Sequence, residues 1–157
     1  MSTECERIAD QLYRVVEGDA WHGPPLIALL SDLSPEMAAS YPIPGAHSIW
    51  ELVHHMIAWA VIARRRLGGE TVDVSPTEDW PPVARITRDA WTAALEAVER
   101  VHTDLRRAVV ALGDGHLEDR TPGKSYPQYV LLHGVAQHIA YHSGQIAVIK
   151  RSVVGSR

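Results

Sequence analysis

The chain has 157 residues, 46% hydrophobic and 22% charged, with a net charge of −4; it reads as one globular domain over residues 1–157, large enough to bury a core. The acidic balance argues against nucleic acid, whose binders carry a basic face, and no apolar run approaches the roughly 20 residues of a membrane span. A single cysteine, Cys5, excludes an internal disulfide or thiolate metal site. It fits a reducing compartment, and with no basic-then-apolar leader pattern the expectation is a cytoplasmic protein.

Four helices are predicted. The first covers about residues 2–33, with a kink or break at Gly23-Pro24-Pro25, because proline removes a helix donor and clashes with the preceding turn. Ile8, Leu12, Val15 and Val16 before the break, and Leu26, Leu29 and Leu30 after it, keep helical spacing. The second opens at Ser48-Ile49-Trp50-Glu51, a capping box, and stops at Gly68-Gly69. Arg64, Arg65 and Arg66 near its end are the only basic run and read as solvated. The third runs from Thr87 to about Leu112, with Trp91, Leu95, Val98, Val101, Leu105 and Val109 as its stripe. The fourth begins near Ser125 or Tyr126 and continues to about Arg151. With no strand alternation, the fold class is all-α, a four-helix bundle of up-and-down or crossover type. The connection at 68–86 is long for a bundle. Its Glu78-Asp79-Trp80-Pro81-Pro82 is too aromatic and proline-rich for a flexible linker.

Nine histidines are unusual in a chain of this length. His138 and His142 form an i, i+4 pair, a spacing at which two imidazoles can share one metal ion. They fall on a face with Leu131, Gly134, Val135, Gln145, Ile146 and Ile149, whereas His133 lies well round the helix and reads as exposed. On the second helix, His55 flanks the apolar centre beside Glu51, Trp59 and Ile62. His54 lies nearly opposite that centre, so His55 is the better third ligand and His54 the better solvent-facing residue. The alternative from spacing alone is a set of core histidines bonded to Gln145, Glu51 or tyrosines. Three imidazoles would leave coordination positions open, the pattern of catalytic metal sites. No HExxH, phosphate loop, Ser-His-Asp arrangement or nucleotide fingerprint is present.

These residues also carry a resemblance. His47-Ser48-Ile49-Trp50-Glu51-Leu52-Val53-His54-His55 with Ala58-Trp59, and Gln137-His138-Ile139-Ala140-Tyr141-His142-Ser143-Gly144-Gln145-Ile146, resemble the two motifs of the DinB/YfiT-like superfamily of metal-dependent enzymes. Trp21-His22-Gly23 and Asp79-Trp80-Pro81-Pro82 resemble features of one branch. The resemblance implies a four-helix bundle, often a homodimer, with a divalent metal on His55, His138 and His142. Relatives of that kind include thiol-dependent S-transferases using bacillithiol or mycothiol and a maleylpyruvate isomerase. Ser143 stands where alanine is frequent.

The expected function is therefore a metal-dependent hydrolase or thiol S-transferase acting on a small molecule. The alternative is a non-catalytic metal- or ligand-binding stress-response protein. Zinc is expected first and nickel second, since imidazole suits several metals. A thiol reaction would need an external low-molecular-weight thiol, because Cys5 reads as a plain N-terminal helix residue. Glu51 is a candidate orienter or general base, and Gln145 a hydrogen-bond partner for the ligands. Trp59 and Tyr141 could line a pocket, although large aromatics at helical spacing are more often core. His22 could reach its mouth, although a surface position is the commoner reading, and His47 precedes the second helix near the rim. His102 and His116 carry no expectation beyond polar surroundings.

Overall fold

The computed structural model describes residues 1–155. Among them are seven α-helices: α1 (Glu4–Val16), α2 (Leu26–Leu30), α3 (Pro35–Ala39), α4 (Ile49–Leu67), α5 (Pro76–Asp79), α6 (Arg88–Leu112) and α7 (Gln128–Val154). There is no strand among the described residues, only one isolated bridge between Arg120 and Pro127. No helix among them is long and apolar enough to cross a membrane.

The helix boundaries follow from local chemistry. Thr3 and Glu6 form a capping box on α1, and Asp114, far along the chain, accepts from the amides of Glu4 and Cys5 at 2.9 Å each. These amides have no partner within the helix, so a carboxylate from another connection fills the vacancy. Ser48 and Glu51 cap α4 as the sequence predicts: Ser48 Oγ accepts from the Glu51 amide, and Glu51 Oε2 accepts from the Ser48 amide at 2.9 Å. At the other end, the Glu70 amide reaches the Arg65 carbonyl and the Gly69 amide the Arg66 carbonyl. That pair of bonds requires a left-handed residue at position 69 (φ 91°), which glycine supplies without strain.

Four long helices form the bundle. α6 packs on α1 and α4, and α7 packs on α4 and α1. Consecutive members α1 and α4, and again α6 and α7, are therefore not principal packing partners, which resolves the topology as a crossover type with long connections. The core is continuous, from Leu12 and Val16 on α1 through Met56 and Ala60 on α4 and Leu105 on α6 to Ile139 and Ile146 on α7.

Several expectations are corrected. The first segment breaks already after Val16, and α2 is a separate short helix pinned to α7 by Lys150, which bonds the Leu29 carbonyl and Asp32. α7 starts at Gln128, because Tyr126 is held in the preceding loop by the Thr121 amide and Pro127 takes the N-cap position. Arg66 is not solvated. It is 1% exposed, donates to the Val72 carbonyl at 3.0 Å and lies 5.6 Å from the Trp59 ring centre. Helical geometry turns only part of the Arg64–Arg66 run outward. His102 is likewise no surface residue. It replaces the expected Val101 at the centre of the α6 stripe and is 1% exposed.

His102 Nδ1 donates to the Val98 carbonyl at 2.7 Å, and Nε2 has no partner. Burial pushes its pKa down from 6.5 to about 4, against the raising effect of that hydrogen bond. As pH falls, the unfolded chain takes up the proton first, so stability is full above about pH 6.5 and is lost progressively toward pH 4. Replacing His102 with Leu should flatten this loss by at most about 3 kcal/mol in metal-free protein. Thermal melts of the two proteins between pH 7 and pH 4 check it: parallel curves would exclude His102 as a source of the pH dependence.

Candidate metal centre

The adjacency of α4 and α7 brings three imidazoles together. His55 comes from α4, His138 and His142 from α7. His138 Nε2 stands 2.9 Å from His55 Nε2 and 3.0 Å from His142 Nε2. One nitrogen from each ring lies within 4.8 Å of the others. His55 and His142 are buried, while His138 is only half-buried. The buried stripe of α7 runs through Leu132, Val135, Ile139, Ser143 and Ile146, so His138 stands on its flank rather than inside it. His133 also differs from expectation. It is half-buried against Tyr129, with Nε2 shielded from solvent and without a partner.

The outward nitrogens reveal the tautomers. His55 Nδ1 lies 2.7 Å from the Asp79 carbonyl and 3.2 Å from Asp79 Oδ1. His142 Nδ1 lies 2.6 Å from Gln145 Oε1. Both partners are acceptors, so each Nδ1 carries the proton and each Nε2 turns a lone pair to the common centre. Lone pairs facing one another at this separation repel unless a proton or a cation lies among them. A tetrahedral ion with bonds of about 2.0–2.1 Å would hold the nitrogens roughly 3.3 Å apart, a few tenths of an ångström wider than seen here. The donor set fits a divalent metal ion.

Protonation favours the same state. Burial, then the neighbouring His142 and His55, push the His138 pKa down to about 4. Burial also lowers that of His142, against the hydrogen bond to Gln145. Both rings are thus neutral at pH 7, the form that ligates.

The 68–86 connection completes the centre. Ser75 and Glu78 cap α5 reciprocally, and the Asp79 carbonyl, at the end of that helix where no intrahelical donor remains, receives His55. Trp59 Nε1 donates to Asp79 Oδ1 at 2.7 Å. Trp80 is sandwiched between two imidazoles, with ring centres 4.0 Å from His55 and 3.6 Å from His47 and planes within 9° of parallel. His54 is not the solvent-facing residue expected: Trp50 Nε1 donates to its Nε2 at 2.9 Å and its Nδ1 reaches the Pro81 carbonyl at 3.2 Å. It straps the connection to α4.

Sequence reasoning did not single out Asp79 or Trp80 as parts of the centre. The signals were the composition of Glu78–Pro82, read as unlike a linker, and the likeness of Asp79-Trp80-Pro81-Pro82 to a feature of one branch of the family, neither of which tied these residues to the histidines. Gln145 contacts His142 directly. Glu51 binds the Ser48 amide, the Tyr41 hydroxyl at 2.8 Å and His47 Nδ1 at 3.3 Å. Burial would raise its pKa, but these bonds outweigh it and hold the carboxyl below its usual range. His22 is exposed at the surface, and His116 pairs with Asp119 at 2.7 Å in solvent. Cys5 is buried in α1, its thiol pushed up to about 11 by burial and then by Asp114.

A cavity of about 400 Å³ borders His55 and His138, with Trp59, Asp79 and Tyr126 on its walls. A second, of about 520 Å³, borders His47, Tyr141 and Gln145. Trp59 and Tyr141, for which core packing was the commoner expectation, instead border cavities, and different ones.

The family model described as the DinB superfamily matches residues 23–146, a span that includes all three histidines, the Asp79-Trp80 connection and Gln145. Comparison with curated proteins and with solved structures gave no match.

Removing the outer partner of a ligating imidazole frees its tautomer, which costs roughly 10–100-fold in metal affinity. Gln145→Leu should show that loss, and Trp80→Ala a smaller one through the freed His55 ring. Competition titration with a chromogenic chelator measures both; wild-type affinity in Gln145→Leu would exclude the assigned tautomer control.

Proposed function

The chain belongs to the DinB superfamily, and on that premise we propose that it is a metal-dependent enzyme whose divalent ion is held by His55, His138 and His142. The observation that carries this reading is the convergence of three Nε2 atoms, with the outward nitrogens of two of the rings, His55 and His142, already committed to Asp79 and Gln145. Zinc is the first choice and nickel the second, because a neutral three-imidazole set suits both. Three protein ligands leave a position for water or substrate, and the cavity at His55 and His138 supplies the approach.

When bound, the ion supplies the Lewis acidity that makes water or a thiol a competent nucleophile near neutral pH. The chain's own residues do the rest. Asp79 and Gln145 keep the Nε2 lone pairs free. Trp80 covers one face of the His55 ring and limits water there. The Asp79 carboxylate borders the cavity and is the group positioned to accept a proton from an incoming nucleophile. Glu51 orients His47 at the rim.

The substrate is a small molecule, and the reaction is either hydrolysis or S-transfer. Cys5, buried among the α1 core residues, is no candidate nucleophile, so S-transfer draws on an external low-molecular-weight thiol. A cytoplasmic homodimer belongs to the same proposal, supported by the single cysteine for the compartment.

Elemental analysis of the wild type should find about one divalent ion per chain, and His138→Ala/His142→Ala should retain less than a tenth of it; equal content in both would sink the centre. Turnover is assayed on electrophilic and ester substrates, with and without an added thiol. Dependence on both metal and thiol assigns S-transfer, and metal-dependent turnover without thiol assigns hydrolysis. Loaded protein inert to both, and strongly destabilised by chelation, would assign the metal to a structural role in a binding protein.

A further inference from the structure

The cavity beside the centre has a composition that selects its occupant. Val130, Leu131 and Val135 of α7 form one wall, and the rings of Trp59 and Tyr126 contribute to the others. Among the described residues, Asp79 is the only carboxylate along it, and no lysine or arginine lines it. The Asp79 carboxylate is already an acceptor for Trp59 and stands beside His55. In metal-free protein an anionic group leaving water for this space would find no cationic side chain there and would meet a like charge, both of which oppose entry. An ion on His55 and His138 would attract a charged group only to the end of the cavity at those histidines, leaving the apolar α7 wall to the uncharged part of the ligand. An apolar body loses nothing by entering and gains by leaving water.

Gly134, on the same wall, has no other evident reason to be glycine. It lies mid-helix, where glycine costs about 1 kcal/mol relative to alanine, and its φ is not positive. A Cβ built there would meet nothing within 4 Å, so no neighbour demands the close approach. What the missing side chain does is leave room in the cavity.

We infer that this cavity holds the apolar, uncharged body of a small ligand, of aromatic size, and that Gly134 sets the size of the body admitted. The cavity and its lining are the same with or without a metal; its reading as a substrate site rests on the proposed centre. Gly144 provides an internal control. It lies on the same helix, also meets nothing within 4 Å of a built Cβ, and borders the second cavity instead.

The test uses N-phenylnaphthylamine, a neutral fluorescent probe, and its sulfonated analogue, anilinonaphthalene sulfonate, titrated into metal-loaded and metal-stripped protein. The wild type should bind the neutral probe at least about tenfold more tightly than the sulfonate in stripped protein. Gly134→Leu should weaken the neutral probe by at least about tenfold, with Gly144→Leu unchanged. Gly134→Ala, which adds one methyl group and a better helix former, should weaken it about two- to threefold and secures the test if the leucine variant misfolds. Equal binding of the two probes would overturn the charge preference. Unchanged affinity in both Gly134 variants, or an equal loss in Gly144→Leu, would overturn the assignment to this cavity. Metal content is measured on the same samples. Protein that binds the probe as expected but takes up no metal sinks the centre and keeps the cavity; protein that takes up metal and ignores the probe does the reverse.

Discussion

Three imidazole Nε2 atoms meeting at one point, two of them with their lone pairs turned inward, are the constraint around which this molecule is arranged. The arrangement needs a proton or a cation at its middle, since bare lone pairs at 2.9–3.0 Å repel and fully protonated rings repel through their charge. It is held by groups that point away from the centre. The Asp79 carbonyl and the Gln145 amide each take the Nδ1 proton of one ring, and that leaves Nε2 no choice of tautomer. Burial lowers the pKa values of His138 and His142 and so removes the competing protonated state at neutral pH.

The bundle supplies rigidity where that constraint needs it. His55 stands on a 19-residue helix and the other two ligands on a 27-residue one, packed directly on each other with Met56, Ala60, Ile139 and Ile146 in the shared core. The remaining parts come from a connection rather than a bundle helix. Asp79 and Trp80 reach the centre because a short capped helix ends at Asp79, and because His54 holds the Pro81 carbonyl. Adjacent histidines on α4 thus divide the work, one toward the nitrogens and one toward the backbone that covers them. An up-and-down bundle with tight loops would have no segment long enough to do this.

Polar groups in the interior are few and mostly accounted for. Arg66 is the exception among the cations, with one carbonyl and the Trp59 ring as its partners and Nε left unpaired. Its position behind Trp59 links the end of α4 to the indole that borders the cavity. His102 makes a second polar insertion into the core, tolerated because its one donor finds the Val98 carbonyl and its neutral form is retained.

Much of this was legible in the sequence because it depends on local spacing. Ser48 with Glu51, the glycines after Leu67 and the apolar stripes of Ile8–Val16 mark helix ends and faces through interactions within a few residues of each other. The i, i+4 pair at His138 and His142 is likewise a property of one helix, and its partner at His55 followed from the face of another. What sequence could not decide was anything set by contact between distant segments. His54, His102 and Arg66 were assigned outward or polar positions by pattern, yet the folded chain supplies each with an interior or half-buried place through Pro81, Val98, Val72 and Trp59. Asp79 and Trp80 joined the centre only because the 68–86 connection folds back on α4. Helical periodicity determined which side chains share a face; the packing of one face on another decided which of them meet.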